Sequence, residues 1–318
     1  MAYKWRLPVS KRIDLFLRRF RRLPSKYWLI LGSLFGIADF LTWSILSDIQ
    51  PSQRWPVTLG LGVVALLITI VSIARQPDVE EIVVHSRALT RMAREAFNST
   101  NYAESLQLLE AAVRLDNDNT AAWSLLGRVL VRLGRFDEAV VPLNRAIELT
   151  QIKGNRHLLL VNRALARIFT DNLGAALADL DLILEENPKH TEALRIRATV
   201  WLILGRYDNA FHDLNAALKI KPNYLCARAI KAVALKRIGD LEQALRELKR
   251  CEALVPEDAV DMYHISLAYA NLGRVDDAIE MLEAAIQRDP RCVPRAARDR
   301  LFDEVRNDPR FLKLITVH

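Results

Sequence analysis

The stretch Thr120–Leu149, TAAWSLLGRVLVRLGRFDEAVVPLNRAIEL, decides the fold. Trp123 and Leu126 are spaced for one face of a helix, Gly134 interrupts the pattern, and Phe136, Ala139, Leu143 and Ala146 resume it at spacings of three and four. The stretch therefore predicts two amphipathic helices joined by a tight turn. The minimal side chain of Ala139 lets the pair cross closely.

Outward from Ala139 the same pattern recurs. Small residues stand at Ser105, Ala139, Ala176, Ala210, Ala244 and Ala278, in steps of 34, 37, 34, 34 and 34 residues. A fixed period of this length marks stacked helical units, each too small to bury its apolar face alone. Trp201, Gly205, Tyr207, Ala210, Leu214, Ala217 and Pro222 form one further copy, and Tyr269, Gly273, Ala278, Leu282, Ala285 and Pro290 the last. The proline closes the second helix of each. The first copy is degenerate, with Leu89, Met92 and Ala93 at the leading positions, while Tyr102 and Ala112 keep its register. In the third copy TDNLG replaces the turn glycine region and TQIKGN (150–155) lengthens the junction, so a local bend or longer loop is expected.

These residues resemble the tetratricopeptide repeat family over about Ser86 to Pro290. The resemblance implies an all-α, right-handed superhelix of six repeats (86–290) whose first helices line a concave groove for an extended peptide or a partner helix. Carried onto this chain, the family's inner-face positions are Arg87, Arg94, Arg128, Arg132, Arg195, Lys236 and Arg237, a basic surface suited to an acidic peptide segment. Val161, Leu165, Ile168, Phe169, Leu202 and Ile203 supply an apolar floor. The carboxylate clamp of chaperone-binding members, a Lys and an Asn, is replaced here by Thr90 and Arg94, which puts that specific clamp in doubt. After Pro290, residues 291–318 read as a capping helix and docked tail, with Leu301, Phe302, Val305, Phe311 and Leu314 as packing residues.

Ahead of the repeats the character changes. Residues 27–47, YWLILGSLFGIADFLTWSILS, and 55–74, WPVTLGLGVVALLITIVSIA, are each long enough to cross a hydrocarbon core about 30 Å thick. The short polar loop between them predicts an antiparallel two-helix transmembrane hairpin, followed by a connector at 75–85. Residues 1–26 hold nine Lys or Arg against Asp14 alone, a balance of +8 within a chain whose net charge is +7. This basic tail places the N-terminus and the repeats in the cytoplasm by the positive-inside rule, with the hairpin in a plasma or inner membrane. It also offers contacts to anionic lipid headgroups. Asp39 sits within the first span, where an ionised carboxylate costs about 3 kcal/mol on insertion scales. It is expected to serve assembly, paired within a larger membrane complex, with Thr58 or Thr69 across the hairpin, or protonated.

The charge distribution argues against nucleic acid, because the excess sits in the tail and the remaining 292 residues sum to −1. Cys226, Cys251 and Cys292 form no CxxC pair, so neither a disulfide framework nor a zinc site is expected. No phosphate-binding loop, dinucleotide fingerprint, zinc-protease motif or clustered triad occurs, and no cofactor, metal or small-molecule substrate is expected. The sequence thus favours a non-enzymatic, membrane-anchored adaptor or scaffold that recruits or assembles protein partners. An accessory subunit of a membrane enzyme or transport complex is the alternative, and a nucleic-acid-binding protein a weaker one.

Overall fold

The structure, a computed structural model, describes residues 79–150, 153–256 and 258–316. The basic tail, both apolar runs and Asp39 lie outside the described residues. The chain divides into two units, Met1–Val84 and His85–His318, and the geometry below belongs to the second.

Six helix pairs follow the repeat register. They are α1 (Val79–Asn98) with α2 (Tyr102–Leu115), α3 (Thr120–Arg132) with α4 (Phe136–Leu149), and α5 (Lys153–Phe169) with α6 (Leu173–Glu186). Next come α7 (Thr191–Ile203) with α8 (Tyr207–Ile220), α9 (Leu225–Arg237) with α10 (Leu241–Glu252), and α11 (Ala259–Asn271) with α12 (Val275–Arg288). The chain continues through α13 (Cys292–Arg298), a 3-10 helix (Arg300–Val305) and α14 (Pro309–Thr316), and no strand occurs among the described residues.

The starts are set by local chemistry. Asn101, Asn119, Asn172 and Asp240 each accept a hydrogen bond from the backbone N–H three residues on, satisfying donors the helix itself cannot. The six register residues do the packing expected of them: Ser105, Ala139, Ala176, Ala210 and Ala244 are fully buried and Ala278 is 1% exposed. At Gly127 a Cβ would lie 2.5 Å from Leu143 Cγ, so α3 and α4 touch where only glycine fits. Leading helices also pack on one another, α9 on α11 most extensively, which makes them the inner layer of the superhelix.

The third copy corrects the expectation of a longer loop. Its turn stays compact because Asp171 takes the left-handed conformation, φ 61°, that glycine takes in the neighbouring copies. The insertion instead lengthens the leading helix: α5 has 17 residues, where α3, α7, α9 and α11 have 13.

Candidate functional site

The segment 291–305, termed the strap, does more than cap the last repeat. Its root is core: Leu301, Phe302, Val305 and, beyond it, Phe311 are 0–4% exposed, and Leu314 packs against them. Asn271 Nδ2 donates to Leu301 O at 2.7 Å, and Tyr263 OH donates to Asp299 Oδ2 at 2.8 Å, fixing the strap to α11. Its other face reaches across the inner layer to distant repeats. Arg291, Arg295 and Arg298 share one helical face. Arg291 lies 5.7 Å from the Tyr102 ring, Arg295 4.8 Å from that of Tyr263, and Arg298 5.5 Å from that of Phe136. Arg298 also meets Asp137 at 3.3 Å and Arg300 meets Asp171 at 2.7 Å, so the strap touches repeats one, two, three and six.

This placement divides the residues that the family resemblance assigned to one groove. Leu165, Ile168, Phe169, Arg195 and Ile203 come together around a cavity of about 40 Å³ roofed by Arg295, Arg298, Asp299 and Leu301. Leu202 joins Ile203 and Arg237 beneath Arg300 and Leu301. Lys236 and Arg237 meet Glu304 of the strap at 3.5 and 3.6 Å, so the acidic side chain they face belongs to this chain. Val161 is core, 4% exposed, and Arg87 is exposed on α1, lining none of these cavities.

The N-terminal half of the groove stays open. A cleft of about 570 Å³ between α1, α3 and α5 is lined by Arg94, Ser124, Arg128, Asn155 and Leu158, among others. Arg128 lies 5.0 Å from the Phe97 ring, and burial together with the like charge of Arg94 lowers its pKa. Arg132, one turn along α3, is lowered by burial and by Arg291 and Arg295 facing it from the strap. Among the described residues Arg94, Arg128 and Arg132 have no carboxylate in salt-bridge range.

The arginines facing the trailing helices differ in this respect. Arg197 binds Asp213 at 2.7 and 2.8 Å, Arg163 grips Asp179 through two nitrogens, and Arg228 meets Glu247 at 2.7 Å. Those three carboxylates are 1–8% exposed and stand three residues after Ala176, Ala210 and Ala244. Sequence reasoning passed over these pairs, although the 34-residue recurrence of the acids was their signal. They pin helix to helix within a repeat, and Asp179 is shared with Arg167 and Glu247 with Lys231 and Arg250.

The three cysteines are buried, free thiols. Burial raises the pKa of Cys251 to about 12 and that of Cys292 to about 11, which keeps both protonated and poorly nucleophilic. No group of side chains suited to a metal ion occurs among the described residues.

Comparison with known proteins agrees with the geometry. A family model described as "Tetratricopeptide repeat" matches residues 90–152 and 161–224, and one described as "Psidin, N-terminal TPR repeats region" matches 194–302. The chain is 24% identical over 239 residues to BBSome complex member BBS4 of Bos taurus, covering 64% of this chain and 45% of that protein. It is 27% identical over 191 residues to DnaJ homolog subfamily C member 3 of Homo sapiens, covering 56% of this chain and 37% of that one. The chain thus spans less than half the length of these curated relatives. A crystal structure of a tetratricopeptide repeat protein from Parabacteroides merdae superposes with a TM-score of 0.51 at 20% identity, covering 73% of this chain and 97% of that chain. The repeat region is an all-helical tetratricopeptide-repeat superhelix.

Proposed function

We propose that this tetratricopeptide-repeat superhelix is the partner-binding module of a membrane-anchored adaptor, and that it receives an acidic segment of a protein partner in the open N-terminal half of its groove. The observation that carries the reading is the contrast in arginine pairing. Arg94 and Arg128 line an open cleft and have no carboxylate in salt-bridge range among the described residues, whereas Arg163, Arg197 and Arg228 are each held by a buried acid. Guanidinium groups left in this state are ready to take carboxylates bidentately.

The anchor in this reading is the hairpin of residues 27–47 and 55–74, oriented by the basic tail so that the repeats face the cytoplasm. No helix among the described residues is long and apolar enough to cross a membrane, so the anchor rests on the sequence of those two runs. Tethering confines the search for partners to the membrane surface and raises the effective concentration of a guest that also touches the bilayer. Asp39 supports a second, compatible reading, in which the hairpin assembles with subunits of a larger membrane complex.

The test is charge reversal in the open cleft. The full chain is purified in mild detergent with its bound proteins, and affinity for the recovered partner is compared with that of the Arg94→Glu, Arg128→Glu double variant. Arg195 is left intact because it is 7% exposed, and a carboxylate there would disturb the core. Affinity should fall about 10- to 100-fold, given the strength of charged hydrogen bonds. Arg114→Glu, on a side chain 78% exposed, is the control and should leave affinity unchanged. Undiminished affinity in the double variant would overturn the reading.

A further inference from the structure

The arginines of the strap differ in what answers their charge. Arg291 meets Asp289, Arg298 meets Asp137 and Arg300 meets Asp171. Arg295 has no carboxylate in salt-bridge range among the described residues. Its guanidinium lies over the Tyr263 ring, which orients the group while leaving its hydrogen-bonding edge free. Asp299 feels the charge from further off, but its oxygens accept from Tyr263 OH at 2.8 Å and Leu301 N at 2.9 Å.

The strap sets Arg295 beside the end of α3. An added Cβ on Gly134 would stand 2.2 Å from Pro294 Cβ, so the residue before Arg295 rests on the turn just past Arg132. Arg291 Nη1 donates to Tyr102 OH at 2.9 Å and holds the same segment to repeat one. Arg132 is half-buried. Burial lowers its pKa, and the like charges of Arg291 and Arg295 lower it further. Asp289 offsets part of this, but its Oδ1 already accepts from Arg291 Nε. Arg94 repels Arg128 in the same way in the adjoining cleft. From the cleft to the strap, five guanidiniums (Arg94, Arg128, Arg132, Arg291 and Arg295) face two carboxylates, Asp289 and Asp299, a balance of +3.

The spacing indicates what would answer that charge. Arg128 and Arg132 are four residues apart on α3, about 6 Å along its axis. Alternate residues of an extended chain lie about 6.6 Å apart on one face. An extended chain also carries main-chain polar groups in need of partners, and the Ser124 hydroxyl and Asn155 amide line the cleft beside Arg128. We propose that Arg132 and Arg295 carry the binding site out of the cleft and onto the strap, making one track that takes an extended acidic segment with carboxylates on alternate residues. The strap is then a wall of the site and selects guests long enough to reach it. This deepens the adaptor reading and rests on it.

Fluorescence anisotropy on the full chain in mild detergent, at fixed ionic strength, tests the register with synthetic peptides. One carries two Glu at positions i and i+2, the second adds a third Glu at i+4, and the third places that Glu at i+3, on the opposite face. The i+4 peptide should bind about tenfold tighter than the two-Glu peptide, and the i+3 peptide nearly the same as it. Arg295→Gln should abolish the gain while leaving the two-Glu peptide unaffected, which also shows that the variant is folded. Arg300→Gln removes the same charge from an arginine matched by Asp171 and should keep the gain. Equal gains from i+3 and i+4, or a gain that survives Arg295→Gln, would overturn the track and leave the adaptor reading standing. Failure of all three peptides to bind, or binding indifferent to Arg94→Glu with Arg128→Glu, would overturn both.

Discussion

His264 shows how much one buried side chain reports. Burial, reinforced by Arg195 and Arg295, depresses its pKa, so the folded imidazole stays neutral where the unfolded one takes a proton. Stability is therefore complete above the unfolded pKa, about 6.5, and declines as the pH falls below it, by at most about 1.4 kcal/mol per pH unit. Urea unfolding at pH 7.5 and 5.5 should show a drop in the wild type that His264→Gln reduces; equal drops in both would remove His264 from the account. At this scale Arg94, Arg128 and Arg195 were named in the sequence through the resemblance to the repeat family, whose inner-face positions they occupy. Their state was not legible there, because whether an arginine is free or paired depends on side chains far away in the chain. Lys236 and Arg237 look like free groove cations until Glu304 folds onto them.

Among the elements, the six helix pairs follow from a recurrence that local physics enforces, since each pair needs a minimal side chain at its crossing. The strap is different. Its apolar residues announce packing, and Phe302 and Phe311 are indeed fully buried, but no periodicity specifies which way a segment turns after the last repeat. Its course is set by contacts with other repeats, such as Pro294 against the turn after α3. Gly134 tests that contact. Its φ is 70°, and an added Cβ would stand 2.2 Å from Pro294 Cβ, whereas Gly205, φ 71°, has open space around it. Both Gly134→Ala and Gly205→Ala bear the left-handed strain of about 1 kcal/mol. Gly134→Ala should cost about 1–3 kcal/mol more for the clash, read as a lower denaturant midpoint. Equal losses at the two glycines would show that the strap does not press on repeat two.

For the whole molecule, repeats and anchor answer different questions. The +8 tail and the two apolar runs are read from composition and length and lie outside the described residues. The superhelix is read from geometry, and its strap leaves the cleft of Arg94 and Arg128 open. The most direct measurement places a benzophenone side chain at Ser124, inside that cleft, or at Asp181, on α6 outside it and paired with Arg197. Each full-length protein is irradiated in native membranes, and the cross-linked partner peptides are read by mass spectrometry. Labelling from Ser124 of a segment rich in Asp and Glu, with little from Asp181, is the result the account predicts. Partner labelling from Asp181 with none from Ser124 would contradict it.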